Sequence, residues 1–378
     1  MRLSARSEIA PFLVMDVVEA ARAAEAAGRR IIHMEVGQPG TSAPEGARRA
    51  LARAMEEGPL GYTTSLGLPA LRERISGLYA ERHGLAIDPA RIIVTAGASG
   101  AFILAFSAFF DAGERVAMGL PGYPSYRQIL TAMSLQPVGL PTDAGTRFQP
   151  RPEMLEEGLS GLIVASPGNP SGTMLDKGAL AALIARSREI GATFISDEIY
   201  HGLDFGRPSV SALEVSDEVV VVNSFSKYFS MTGWRVGWMV VPESAVRAVE
   251  RLAQNMFICA PHASQVAALA AFDCTKELEA NRAVYATNRA LMLEGLPKAG
   301  FDRIAPPDGA FYVYADVSHL TGDSVAFAAD ILEHAGVAVT PGVDFDPDRG
   351  RGTLRFSYAA ATAEIEEGLA RLSAFMAG

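Results

Sequence analysis

Short apolar runs alternate with amphipathic stretches through the middle of the chain. From Arg91 onward the runs predict strands at Ile92–Thr95, Val116–Gly119, Pro137–Leu140, Gly161–Ala165, Thr193–Ser196, Val219–Asn223 and Val236–Val241. Apolar residues at helical spacing between them predict helices at Gly100–Phe110, Tyr126–Met133 and Lys177–Ile190. Strands this short, this apolar and separated by helices are buried on both faces, which predicts a mostly parallel sheet covered by helices. Ligands of such sheets sit at the carboxyl ends of the strands.

The flanks read differently. Helices are expected at Pro11–Gly28, Glu45–Glu57 and Pro69–His83, with a strand at Ile31–Val36. After Pro242 come helical patterns at Glu243–Gln254, His262–Phe272 and Lys276–Gly295. Strand-like Gly309–Tyr314, Val337–Val339 and Thr353–Ser357 then mix with helices Ser324–Ala335 and Ala363–Phe375. The pattern predicts an α/β protein: a large domain over residues 45–280, and a smaller α+β domain built from residues 1–44 and 281–378.

Composition narrows the partners. Of 378 residues, 49% are hydrophobic and the net charge is −10, so a large core is expected and nucleic acid is a poor partner. No run of eighteen apolar residues suggests a membrane span, and Asp16 and Glu19 interrupt the first apolar stretch, so no secretory signal is expected. Cys259 and Cys274 form no Cys-x-x-Cys, which points to small core residues in a reducing cytoplasm, and no metal site is expected.

The polar residues that follow the strands carry the candidate chemistry. Ser224-Phe-Ser-Lys227 is followed by Arg235, eight residues beyond the lysine. A lysine desolvated at a sheet end loses its proton more readily and becomes a nucleophile, while hydroxyls and a guanidinium suit a phosphate. Those needs meet in a Schiff base between Lys227 and pyridoxal phosphate; a polar loop with a solvated lysine is the plain alternative. Asp197, directly after Thr193–Ser196, would keep the pyridine nitrogen protonated, or cap a helix. Tyr200 and Asn169, the latter in Ser166-Pro-Gly-Asn-Pro-Ser-Gly172, would reach the phenolate oxygen, or serve as a core aromatic and a turn residue. Gly97-Ala98-Ser99-Gly100 opens a helix after a strand and offers an anion site. Tyr123 would stack on a planar ring. Arg355, alone on an apolar strand, needs either a substrate carboxylate or an internal ion pair.

In this order and spacing the residues resemble the class I aminotransferases of the fold-type I pyridoxal phosphate family, from about Val36 to Arg355. Ser224–Gly237, Asn169-Pro-Ser-Gly172, Asp197-Glu-Ile-Tyr200, and Tyr62-Thr63 to Gly67 with Leu71-Arg72 carry the likeness. The resemblance implies a seven-stranded sheet with its last strand antiparallel. It implies Lys227 as Schiff-base lysine and proton carrier, Asp197 on the ring nitrogen, and Tyr200 and Asn169 on the phenolate oxygen. Tyr123 would stack on the ring, and Ala98, Ser99, Ser224 and Arg235 would hold the phosphate. Tyr62 would reach the neighbouring subunit of a homodimer, and Arg355, with the backbone of Gly37, would take the substrate carboxylate. Tyr123 replaces a tryptophan common in the family, and Ser99 stands where some aspartate-accepting relatives carry lysine. The implied activity is ping-pong transamination between an L-amino acid and a 2-oxo acid, with a C–S β-lyase on the same fold as the alternative. A silent regulator with an appended DNA-binding domain is not expected, because only a short acidic, alanine-rich segment precedes Val36.

Overall fold

Seven strands form the central sheet of the computed structural model, which describes residues 1–378. Their order is Ile92–Thr95, Gly237–Val240, Val220–Ser224, Thr193–Asp197, Gly161–Ala165, Arg115–Leu120 and Gln136–Pro141. All pairings are parallel except those of Gly237–Val240, which runs antiparallel to both neighbours. Successive residues enter opposite cores. Val94, Leu162, Val164 and Val221 join the larger cluster, whereas Ile93, Ile163, Val220 and Val222 join the second. That alternation of equally apolar residues is what a sheet covered on both sides requires. Helix Gly97–Phe109 covers one face, and Pro69–His83 with Lys177–Glu189 the other.

The remainder builds two small sheets. Thr340–Pro341, Thr353–Ser357, Tyr312–Asp316 and Arg303–Ala305 make an antiparallel sheet, and Ile32–His33 pairs in parallel with Val337–Ala338. Arg303–Ala305 is a half-exposed edge strand without a strong apolar pattern, and the sequence reading passes over it. The strand expected over Ile31–Val36 shrinks to Ile32–His33, because the carbonyl of Glu35 accepts from Arg355 and Thr340 instead of a strand. Helix Gly97–Phe109 starts earlier than expected, so Ala98 and Ser99 form its first turn. Pro124 opens the next helix two residues ahead of the expected start, its fixed φ suiting the first turn. No helix is long and apolar enough to cross a membrane.

Candidate active site

The carboxyl ends of the parallel strands open into a cavity of about 240 Å³. Gly37, Ala98, Ser99, Tyr123, Asn169, Asp197, Tyr200, Lys227, Arg235 and Arg355 all line it. Ser224, expected there, does not, and neither does Tyr62, which is expected to serve a neighbouring subunit. Tyr62 lies outside the cavity and is 81% exposed. Ser224 is buried behind the wall, its hydroxyl 3.1 Å from the Val236 carbonyl and 2.9 Å from Ser226 Oγ. Ser226, two residues further along the turn, lines the cavity in its place.

Lys227 follows the strand Val220–Ser224 and donates from Nζ to the Gly37 carbonyl at 2.6 Å. Burial pulls its ammonium down to about 8, and the Arg355 and Arg235 charges push the same way. A methyl group at Gly37 would collide with the Tyr312 hydroxyl, so only glycine lets this backbone pass so close.

Asp197 ends its strand with the carboxylate inside the cavity. Burial raises it to about 6, against donations from the Tyr126 hydroxyl and the Ile199 N–H at 3.1 Å. It has no ion-pair partner in the chain, so a buried carboxylate is left wanting a cation. Neighbouring Tyr200 shares a hydrogen bond with the Tyr312 hydroxyl at 2.8 Å.

Arg355 is 2% exposed and forms no salt bridge. Nη1 donates to Asn169 Oδ1 at 2.9 Å, and Nη2 donates to the Glu35 carbonyl and to Thr340 Oγ1. Nε has no partner. The guanidinium lies between the rings of Tyr312 and Phe345, at 4.4 and 4.7 Å from their centroids. The loop that presents Asn169 is held from behind. Gln149 Nε2 donates to the carbonyls of Ala165 and Thr173 at 3.2 and 2.9 Å, and Ser166 Oγ accepts from the Leu175 N–H at 2.9 Å.

At the open end, the first turn of Gly97–Phe109 meets Arg235. Its N-cap, Ala96, offers no side-chain acceptor, so the first N–H groups remain available. A Cβ on Gly97 would lie 2.5 Å from Arg235 Nη2, so glycine leaves room for the guanidinium there. These unmet demands fit pyridoxal phosphate with an amino acid beside it: an N–H for Asp197, a phosphate for the helix turn and Arg235, and a carboxylate for Arg355.

Sequence reasoning missed Tyr126, Tyr312 and the arm residues Phe12, Val14 and Met15, which also line the cavity. Tyr126 sits on the expected helix and Tyr312 on the expected strand, but pattern alone does not say which neighbour a side chain meets.

The sequence profile of aminotransferase class I and II matches residues 29–372. A valine–pyruvate aminotransferase of Mycobacterium tuberculosis is 47% identical over 99% of this chain and 98% of its own. A crystal structure of an aminotransferase from Mycobacterium tuberculosis superposes with a TM-score of 0.98 at 46% identity, covering 100% of this chain and 99% of the other. That of aspartate aminotransferase from Thermus thermophilus with maleate gives 0.93 at 31% identity, over 99% and 100% of the two chains.

Proposed function

This chain belongs to the class I and II aminotransferase family and is a pyridoxal-phosphate-dependent transaminase; from that premise we propose that its donor is an amino acid with an apolar side chain and its acceptor a small 2-oxo acid such as pyruvate. The observation that carries the reading is the charge inventory of the cavity. Its only cations are Lys227, Arg235 and Arg355, and its only acid is Asp197. Arg235 belongs to the phosphate end and Lys227 to the amine, which leaves Arg355 for one carboxylate. A second carboxylate, on an acidic side chain, finds no cation in this chain's cavity. It would face Phe12, Val14, Met15 and Val36. The relative named for valine and pyruvate supports the same choice.

When bound, pyridoxal phosphate supplies an aldehyde for the amine and a ring that draws electrons from the bond at Cα. Asp197, steadied by Tyr126, would pair with the ring nitrogen and keep its proton in place. Tyr200 and Asn169 would address the phenolate oxygen, and Tyr123 would stack on the ring. Ala98, Ser99, Ser226 and Arg235 would hold the phosphate, with Ser224 behind Ser226. Arg355 grips the α-carboxylate through its planar fork and turns the Cα–H toward Lys227. Lys227 Nζ, whose proton burial makes easier to lose, takes the α-proton, and in the second half-reaction returns one to Cα of the new amino acid. The two substrates use Arg355 in turn, which is the ping-pong order.

We also propose a homodimer with shared sites. Ser99 and Arg235 stand exposed at the phosphate end, and Tyr62, with Met256 and Ile258, forms exposed apolar surface that a second copy would cover. Free Cys259 and Cys274 fit a reducing cytoplasm. The donor reading is tested by mixing holoenzyme with single amino acids and no acceptor. Valine and alanine should convert the cofactor spectrum rapidly and aspartate slowly; equal rates for aspartate would overturn it.

A further inference from the structure

The wall that gives the cavity its apolar character comes from the N-terminal arm, and the arm is fastened from the far end of the chain. Helix Leu13–Ala26 begins without a cap of its own, since Phe12 brings no side-chain acceptor. Its first N–H groups go to Asp344 instead: Oδ1 accepts from Leu13 at 3.1 Å and Oδ2 from Val14 at 3.3 Å. Asp344 is 3% exposed and forms no salt bridge, so these amides are the carboxylate's hydrogen-bond partners. A negative charge at a helix start is stabilising, and this one is supplied across more than three hundred residues of chain. The next residue, Phe345, stacks its ring 4.7 Å from the Arg355 guanidinium and accepts the Gly122 N–H at 3.0 Å, next to Tyr123. Phe12, just ahead of the capped turn, sets its edge against the Tyr123 ring at 6.0 Å. One short segment, Asp344–Phe345, therefore holds the arm and backs the carboxylate clamp.

We propose that Asp344 is a specificity-positioning residue: by capping the arm helix it sets Phe12, Val14 and Met15 as the surface that receives the substrate's side chain. The inference rests on the apolar-donor reading above. Asp344 touches neither cofactor nor substrate; it acts through the arm. Removing it should cost the branched side chain its wall while leaving the amine and carboxylate contacts alone.

The test compares wild-type holoenzyme with Asp344→Ala, Asp344→Asn and Phe12→Ala, using valine and alanine as donors. Loss of the cap in Asp344→Ala should raise KM for valine and lower its kcat/KM about tenfold, with kcat and the alanine reaction within about twofold. Asp344→Asn keeps a side-chain oxygen for one amide and should fall between. Phe12→Ala should lower the valine-to-alanine ratio with the cap intact. Hydrogen exchange of the Leu13–Ala26 amides should accelerate in Asp344→Ala while the cofactor absorbance stays unchanged. An unchanged valine-to-alanine ratio despite faster exchange would reduce Asp344 to a structural staple, and unchanged exchange would show that it does not hold the arm. A wild-type enzyme that uses aspartate as well as valine sinks the donor reading and the inference with it, an outcome separate from any behaviour of the variants.

Discussion

Replacing Arg355 with alanine perturbs the site at the group whose surroundings are most completely defined. The guanidinium is fixed by Asn169 Oδ1, Thr340 Oγ1 and the Glu35 carbonyl and lies between two aromatic rings, yet it has no anionic partner within the chain. A substrate carboxylate that docks there forms a desolvated, charge-assisted pair. Truncating one member of such a pair costs about 2–5 kcal/mol, or roughly 30- to 5,000-fold in kcat/KM. Arg355→Lys keeps the charge, loses the planar fork, and should fall between. The assay is the half-reaction of the holoenzyme with valine, followed by the cofactor's absorbance, with an alkylamine of similar shape as control. The variant should lose its rate on valine, change little on the amine, and bind cofactor normally. If Arg355→Ala stays within about threefold of wild type on valine, or loses equally on the amine, Arg355 does not hold the substrate carboxylate.

Three further outcomes follow from the same geometry. Because burial lowers Lys227 to about 8, its amine gains nucleophilic character as pH rises. Capture of pyridoxal phosphate by cofactor-free protein, followed by stopped-flow absorbance, should therefore speed up with pH and level off above about 8; a rate still climbing steeply toward pH 10 would place the lysine in solvent. Tyr126→Phe removes a donor to Asp197 and should weaken cofactor affinity about three- to tenfold, read by equilibrium dialysis, with no change expected if that contact were incidental. In the proposed dimer with shared sites, mixing Lys227→Ala with Tyr62→Ala subunits should restore roughly a quarter of wild-type activity, because half the dimers would be hybrids with one complete site each; no recovery after verified subunit exchange would refute shared sites.

The parts of the fold visible in the sequence are those governed by local pattern. Gly161–Ala165 is a strand with the expected bounds because it is an uninterrupted apolar run ended by a proline-rich loop. Helix Gly97–Phe109 begins three residues ahead of the pattern at Gly100–Phe110, because glycines lower helix propensity and there backbone N–H groups facing a cavity matter more than propensity. Lys227, Asp197 and Arg355 were legible as chemistry that needed partners. Which groups surround them was not, because Tyr126 reaches Asp197 across 71 positions and Asp344 reaches the arm across 331. Such contacts are set by how the sheets pack together, which no local window contains. The position of Ser224 behind Ser226 depends on how the turn after Val220–Ser224 closes, and two serines separated by a single residue do not distinguish the cases.

In the proposed reaction Lys227 moves the proton at the donor's Cα, and the amino group is transferred and not released. Purified holoenzyme is mixed with valine and no 2-oxo acid, alongside Lys227→Ala, and cofactor absorbance and free ammonia are followed together. Wild type should convert one cofactor per site in a single round, stop, and resume on addition of pyruvate, while Lys227→Ala should make no such round. Continued release of ammonia without acceptor, or full turnover by Lys227→Ala, would contradict the proposed reaction.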